Sequence, residues 1–282
     1  MPNLLLITGA AGFVGTHALK FALFSRNYDF ILATDIRSVT GVDIINQKDY
    51  QFVQADLSKP EEFKKIQAAL ELLADNYKIT VWHIGGCFNY SASRDLLYRV
   101  NVLGTKSLLE TLFYVYGKTQ SRWSNFQKFV FWSGGVVYGK FDDSRAELQA
   151  DENYPVNPQN EYGWSKKEAE DWVLFFWKTF GLPITIMRLA AIYGPNSRYG
   201  MGAAILLNAS GRLAPLIAGS GKNKTALIHV EDVIRVADFL SGVSESDGEI
   251  YNVVDFTGYS LATTSTFIGE KLDNKPFSSF HL

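Results

Sequence analysis

Short apolar runs recur along the first two thirds of the chain, and each closes on a small or polar residue. Leu4 to Ile7 closes on Thr8-Gly9, Phe30 to Thr34 on Asp35, and Gln51 to Val53 leads to Asp56. Ile79 to His83, Phe129 to Trp132 and Ile184 to Met187 follow the same form. Runs this short, without polar alternation, predict strands buried on both faces. Helical spacing between them predicts helices over 13–25, from Ser58-Lys59-Pro60-Glu61 onward, over 94–116 and over 160–180. Ser58 and Glu61 have capping-box spacing with Pro60 in the first turn, and Gly181 and Pro183 stop the helix of 160–180. Strands alternating with helices predict an α/β fold, a doubly wound parallel sheet of the Rossmann type. After residue 189 the rhythm breaks. Residues 190–225 are rich in glycine and proline, a helix resumes near Val230, and Ile250 to Val254 reads as a further strand. The pattern therefore divides the chain into a dinucleotide-binding domain, 1–189 with 226–255, and a small C-terminal substrate-binding lobe, 190–225 with 256–282, over the carboxyl edge of the sheet.

Composition narrows the class without naming a function. The chain has 282 residues, 47% hydrophobic and 20% charged, enough for a large core. A net charge of −2 gives no overall pull toward nucleic acid or membrane, and neither is expected as a partner. Cys87 is the single cysteine, so no internal disulfide can form, and no secretory signal is read after Met1-Pro2-Asn3. Both favour a cytoplasmic setting. No apolar stretch reaches the length of a membrane span, and no metal ligand set is read. Trp172, Phe175, Phe176 and Phe180 lie at helical spacing and predict a buried helix face.

Three groups of residues carry chemistry. Gly9, Gly12 and Gly15 lie between the first strand and the first helix. Glycines there let the backbone approach a pyrophosphate, and the helix start at Phe13, Val14 and Gly15 supplies amides and positive dipole. Asp35 follows Gly15 by twenty residues at the end of the second strand. Its carboxylate can accept both ribose hydroxyls and repels a 2′-phosphate, so NAD is expected rather than NADP, with Arg37 softening the preference. Asp56 is read either as a contact to the adenine amine or as a turn aspartate. Tyr162 and Lys166 are four residues apart on a predicted helix and so share a face. An ammonium there favours the tyrosinate and pulls the phenol pKa down from about 10.

Taken together, the chain resembles the extended short-chain dehydrogenase/reductases, in their epimerase/dehydratase-like branch. The resemblance rests on Thr8 to Gly15, Asp35, Asp56-Leu57, His83 to Gly86, Asn101 to Thr105, Val137-Tyr138-Gly139, Tyr162-x-x-x-Lys166, Arg188 to Pro195 and His229 to Asp232. It implies that Tyr162 is the general acid/base and that Lys166 lowers its pKa and binds the nicotinamide ribose. Asp56, Leu57 and Asn101 join the cofactor-binding set, Asn101 through a helix kink or water relay. A homodimer through the helices of 94–116 and 160–180 is also implied.

The departures from the family pattern bear on substrate. Where the family usually has Ser or Thr, four residues before Tyr138, this chain has Gly134, with Ser133 one residue earlier. Ser133 is taken as the third catalytic candidate, provided the glycine loop re-aims it. Ala191 and Thr225 stand where nucleotide-sugar epimerases hold a diphosphate with Asn and Arg, and Arg212, Lys222 or Lys224 could compensate. No Thr-Asp-Glu occurs in the active loop, against the sugar 4,6-dehydratases. Gly219 to Asn223 and Tyr98 to Val102 look more like the 3β-hydroxysteroid dehydrogenase and dihydroflavonol reductase branches. Only 27 residues follow Asp255, so the lobe is expected to be shortened or diverged. The leading expectation is an NAD-dependent oxidoreductase interconverting a secondary alcohol and ketone on a small or apolar, sterol-like substrate. The alternatives are a nucleotide-sugar 4-epimerase with tightly bound NAD, and a redox-inactive NAD-binding scaffold.

Overall fold

The computed structural model describes residues 1–25, 27–40, 42, 50–139, 150–197, 224–255 and 259–260. Two compact units divide the chain, Met1–Arg188 with Ile234–Asn252, and Leu189–Val233 with Val253–Leu282. Segment 226–233 thus goes with the second unit, whereas the sequence pattern grouped it with the first.

The first unit is built on β1 (Asn3–Thr8), β2 (Phe30–Asp35), β3 (Tyr50–Gln54), β4 (Lys78–His83), β5 (Phe126–Gly134), β6 (Ile184–Leu189) and a late strand, Ile250–Val253, here β10. These form one sheet in the order β3-β2-β1-β4-β5-β6-β10, with β1 flanked in parallel by β2 and β4. Every residue of β6 is buried, and β1 and β4 are buried after their first residue, as a sheet covered on both faces requires. The helices are α1 (Phe13–Ser25), α2 (Phe63–Leu73), α3 (Arg94–Leu97), α4 (Gly104–Tyr116), α5 (Gln120–Trp123), α6 (Glu161–Phe180) and α7 (Val230–Ser241). On one face Leu4, Leu6, Val81 and Phe129 pack against Ile66 of α2, Leu108 and Leu112 of α4, and Ala169 and Val173 of α6. On the other face Trp82 meets the rings of Phe21 and Tyr28, and its Nε1 donates to Ser241 Oγ of α7 at 2.9 Å. The register places Thr8 opposite both Thr34 and His83, and His83 opposite Phe131, so one row of residues crosses four neighbouring strands, at or near the carboxyl ends of β2, β1 and β4.

Local chemistry sets the ends of these elements. Asn160 caps α6 by accepting from the Gly163 amide at 2.8 Å, and Gly181 closes it in the left-handed region at φ 68°. The helix expected from Ser58 begins differently. A 3-10 turn, Pro60–Glu62, precedes α2, and the Ser58 hydroxyl donates to Asp56 rather than capping a helix. Residues 94–116 form no single α-helix, because Tyr98–Leu103 between α3 and α4 is a π-helix. The aromatic set on α6 splits: Phe176 is buried, while Phe175 and Phe180 are exposed. Among the described residues no helix is long and apolar enough to cross a membrane.

The described part of the second unit holds two small pairings. β7 (Ala191–Tyr193) runs parallel to β9 (Leu227–His229), and β8 (Lys224–Thr225) runs antiparallel to β11 (Tyr259–Ser260).

Candidate active site

The carboxyl ends of β1, β2 and β4 carry a glycine cradle. Gly9 has φ +70°, and a Cβ on it would lie 2.6 Å from Gly85 Cα. A Cβ on Gly15 would lie 1.9 Å from the Gly9 carbonyl oxygen, so α1 starts against the β1 turn with no room for a side chain. The Gly12 amide closes onto Gly9, and the Thr16 amide onto Gly12. The amides of Phe13, Val14 and Gly15 then have no intrahelical carbonyl to receive them. They form an anion site with the helix dipole behind it. Leu57 borders the cradle, its Cδ1 lying 2.8 Å from where a Gly85 Cβ would stand.

Asp35 accepts from the Ala11 amide at 3.0 Å and the Arg37 amide at 2.9 Å, one on each oxygen. Those bonds fix the carboxylate beside the cradle and leave it acceptor capacity for two hydroxyls. Asp56 is engaged in its own turn, accepting from both the amide and the hydroxyl of Ser58. Burial opposes its ionisation, but the Ser58 bonds and Lys59 hold its carboxyl below the usual range. The residues at the cradle therefore fit a dinucleotide whose ribose carries free hydroxyls.

Beneath the cradle runs a buried hydrogen-bond chain that the sequence reading did not assign. The Gly85 amide donates to Thr8 Oγ1 at 2.9 Å. Thr8 Oγ1 lies 2.7 Å from His83 Nδ1, His83 Nε2 lies 2.9 Å from Thr105 Oγ1, and Thr105 Oγ1 donates to the Asn101 carbonyl at 2.6 Å. The ends of the chain fix its direction. Thr105 gives its one proton to the Asn101 carbonyl and so accepts from Nε2–H, and in a neutral imidazole Nδ1 then accepts from the Thr8 hydroxyl. Burial and then the Lys166 charge push the His83 pKa down to about 3, in keeping with that tautomer.

Asn101 sits within the π-helix and is buried. Its side chain receives the Cys87 amide at 2.7 Å and donates to the Cys87 carbonyl at 3.2 Å and to Ser165 Oγ of α6 at 2.9 Å. The widened turn thus carries an amide that ties the loop after β4 to the helix of the Tyr–Lys pair. Gly86 leaves room for it, since a Cβ there would lie 3.1 Å from Asn101 Oδ1.

Tyr162 is half-buried, and its hydroxyl has no hydrogen-bond partner among the described residues. Phe88 and Tyr90 stand edge-on to its ring at 5.2 and 5.3 Å between centroids. Burial, then Tyr90 and Cys87, push its pKa up rather than down. Lys166 is buried with Nζ 4.4 Å from the Phe131 ring centroid, and burial lowers its own pKa to about 8 against an opposing pull from Glu170. The tyrosinate-favouring effect expected of Lys166 is therefore outweighed in the protein by itself.

Ser133 does not reach toward Tyr162. It is buried on β5, and its hydroxyl donates to Glu170 Oε1 at 2.5 Å. Glu170 also pairs with Arg188, whose Nη2 donates to Oε2 at 2.8 Å and whose Nε lies 3.2 and 3.3 Å from the two oxygens. Arg188 Nη1 donates to the Tyr138 hydroxyl, which donates to Asn252 Oδ1. The re-aimed serine expected from the sequence is instead held by a buried ion pair. A signal was present for this cluster: Arg188 is the one charged residue in an otherwise uncharged strand, and such a residue needs a buried anion. Arg212, Lys222 and Gly219 to Asn223 lie outside the described residues.

Known proteins place the chain in a family. The model of the NAD dependent epimerase/dehydratase family matches residues 5–253. The chain belongs to that family. A putative UDP-glucose 4-epimerase of Methanocaldococcus jannaschii is 30% identical over 242 residues, covering 82% of this chain and 71% of the relative. A dTDP-D-glucose 4,6-dehydratase of Dictyostelium discoideum is 27% identical, covering 88% of this chain but 57% of its own length. Among solved structures, a Thermus thermophilus UDP-glucose 4-epimerase in complex with NAD superimposes with a TM-score of 0.76 at 23% identity, covering 97% of this chain and 84% of that one. That likeness supports the fold. Membership in the family makes the chain one of the NAD-dependent enzymes of the extended short-chain dehydrogenase/reductases. It gives no support to the sterol-like substrate expected from Tyr98 to Val102, and the nucleotide-sugar alternative is the one these relatives fit.

Proposed function

We propose that the chain is a nucleotide-sugar 4-epimerase that keeps NAD bound through turnover. The observation that carries this is the free hydroxyl of Tyr162, one helical turn from buried Lys166, in a chain that also holds a glycine cradle fitting NAD and whose relatives include a putative UDP-glucose 4-epimerase. When bound, NAD supplies a hydride acceptor and donor and a positively charged ring that favours tyrosinate. The residues of the chain do the rest. The amides of Phe13, Val14 and Gly15 hold the pyrophosphate, and Asp35 holds the adenosine ribose. Lys166, one turn along α6 from Tyr162, holds the nicotinamide ribose, and Tyr162 takes the proton from a sugar hydroxyl and later returns it. Asn101 keeps the π-turn fixed against α6, so the Tyr162 hydroxyl does not drift.

A dehydratase needs a further acid and base to expel a hydroxyl. The stretch at the end of β5 reads Ser133-Gly134-Gly135-Val136 and offers neither, which favours epimerisation among the activities named for the relatives. The test is to incubate the purified protein with UDP-glucose and dTDP-glucose and resolve the products. Interconversion of the 4-epimers without NADH release supports the proposal. A 4-keto-6-deoxy product, net NADH formation from a simple alcohol, or NAD binding without turnover of any sugar each overturns it.

We also propose a homodimer through α4 and α6. Tyr114, Phe175 and Phe180 line one apolar groove across these helices, and all three are exposed. A molar mass of one chain at micromolar concentration would refute it.

A further inference from the structure

Lys166 and Glu170 follow one another by one turn on the buried side of α6, and β5 runs beneath them. Phe131 and Ser133, two residues apart, present the same face of that strand. Their spacing of about 7 Å matches one helical turn of about 6 Å. The Lys166 ammonium accordingly lies over the Phe131 ring, while Glu170 receives the Ser133 hydroxyl. Arg188 reaches the same carboxylate from β6. Glu170 and Arg188 are 2% and 5% exposed and would make a complete neutral pair on their own. Lys166, 6% exposed, adds a second buried cation one turn away and has no carboxylate within ion-pair distance among the described residues.

We propose that Glu170 is a positioning residue for the Lys166 ammonium: it supplies the buried negative charge that Lys166 depends on, and Ser133 with Arg188 fixes that carboxylate in place. The surroundings leave no other candidate among the described residues. His83 faces Lys166 from β4 but is neutral, the Phe131 ring faces it from β5, and Asn101 approaches α6 from the π-turn without a charge. Tyr162 and Glu170 share its helix, and Arg188 is paired with Glu170. Burial disfavours the Lys166 ammonium, and Glu170 opposes that effect. The position of Ser133 follows from the same arrangement. A one-residue shift on a strand turns a side chain to the other face, and on this chain the serine occupies the face that meets Glu170.

The proposal rests on the Tyr162–Lys166 pair only for its consequence in turnover, because the charge on Lys166 can be read with no substrate. Protein labelled with 13C at the lysine ε position is titrated by NMR, with the Lys166 resonance assigned from Lys166→Met. Glu170→Gln is expected to lower the Lys166 midpoint by about one pH unit or more, a tenfold change in its protonation constant. If 4-epimerisation is found, its alkaline limb should move down by the same amount. An unchanged midpoint in folded Glu170→Gln overturns the proposal, whether or not any sugar is turned over. Should that variant fail to fold, Ser133→Ala takes its place and is expected to lower the midpoint by a few tenths of a unit, and no movement there is equally fatal. Absent turnover with an intact Lys166 shift would instead count against the epimerase reading alone.

Discussion

His83 gives the sharpest test of the buried chain beneath the cradle. Its folded pKa is near 3, against 6.5 for an ordinary histidine, because burial and the Lys166 charge oppose the imidazolium. The sign follows from linkage. The folded pKa is depressed, so the stability contribution is fully present above pH 6.5 and is lost as pH falls toward 3. Within that window the slope approaches 1.4 kcal/mol per pH unit, and between pH 7 and pH 5 the loss is about 2 kcal/mol. The geometry supplies the cause. A second ring proton would sit on Nδ1, where the Thr8 hydroxyl now donates, and would place a buried charge near Lys166. The assay is urea denaturation of wild type and His83→Gln at both pH values, read as midpoints at constant m. Carboxylates titrate in both proteins and cancel in the comparison. Wild type should lose about 2 kcal/mol more than the variant. Equal pH dependence in the two proteins would refute the neutral, Nε2-protonated assignment.

Three further outcomes are expected. Tyr162→Phe should lower epimerisation by roughly 10²- to 10⁴-fold with NAD binding and thermal midpoint unchanged, since the lost hydroxyl has no partner among the described residues; product analysis and a melting curve check both halves. Asn101→Ala should cost about 2–4 kcal/mol in denaturant unfolding, because it strands the Cys87 amide and carbonyl that the side chain now satisfies. Asp35→Asn should weaken NAD about tenfold or more and narrow the gap to NADP, measured by fluorescence titration, because a charge-assisted acceptor at the ribose is replaced by a neutral amide.

Much of the fold was legible because its causes are local. The runs at Leu4, Phe30, Ile79 and Ile184 are apolar at successive positions, which a strand buried on both faces demands. Asn160 and Gly181 carry the ends of α6 in their own chemistry. What stayed hidden depends on partners distant in sequence. A π-turn over Tyr98–Leu103 has no composition of its own; it is held by Asn101 bonding to Cys87 and Ser165, which only the folded chain brings to it. Ser58 has the spacing of a cap, yet it folds into a turn with Asp56, to which its amide and hydroxyl both donate, and the helical segment starts after Lys59. Both corrections are a short-range pattern overridden by a nearer or better-placed partner.

The same distinction separates the two halves of the active site. The cradle, Asp35 and the Tyr162–Lys166 pair could be read because each needs only its own segment: a glycine where a Cβ would collide, an acid at a strand end, two residues on one helix face. The electrostatics could not, because they are set across elements. Lys166 was expected to make Tyr162 more acidic, but that expectation assumed a solvated ammonium. In the folded chain the ammonium is buried over Phe131, and its own proton is held against burial by Glu170. Tyr162, with Phe88, Tyr90 and Cys87 around it, moves the other way. The protein alone therefore keeps the Tyr162 phenol protonated. The missing positive charge has to arrive with the oxidised nicotinamide, so the Tyr162 titration should move toward neutrality only when NAD is bound. Such coupling fits the proposed epimerase, in which NAD would stay bound: without the cofactor a neutral phenol at the site offers no reactive base to misdirect.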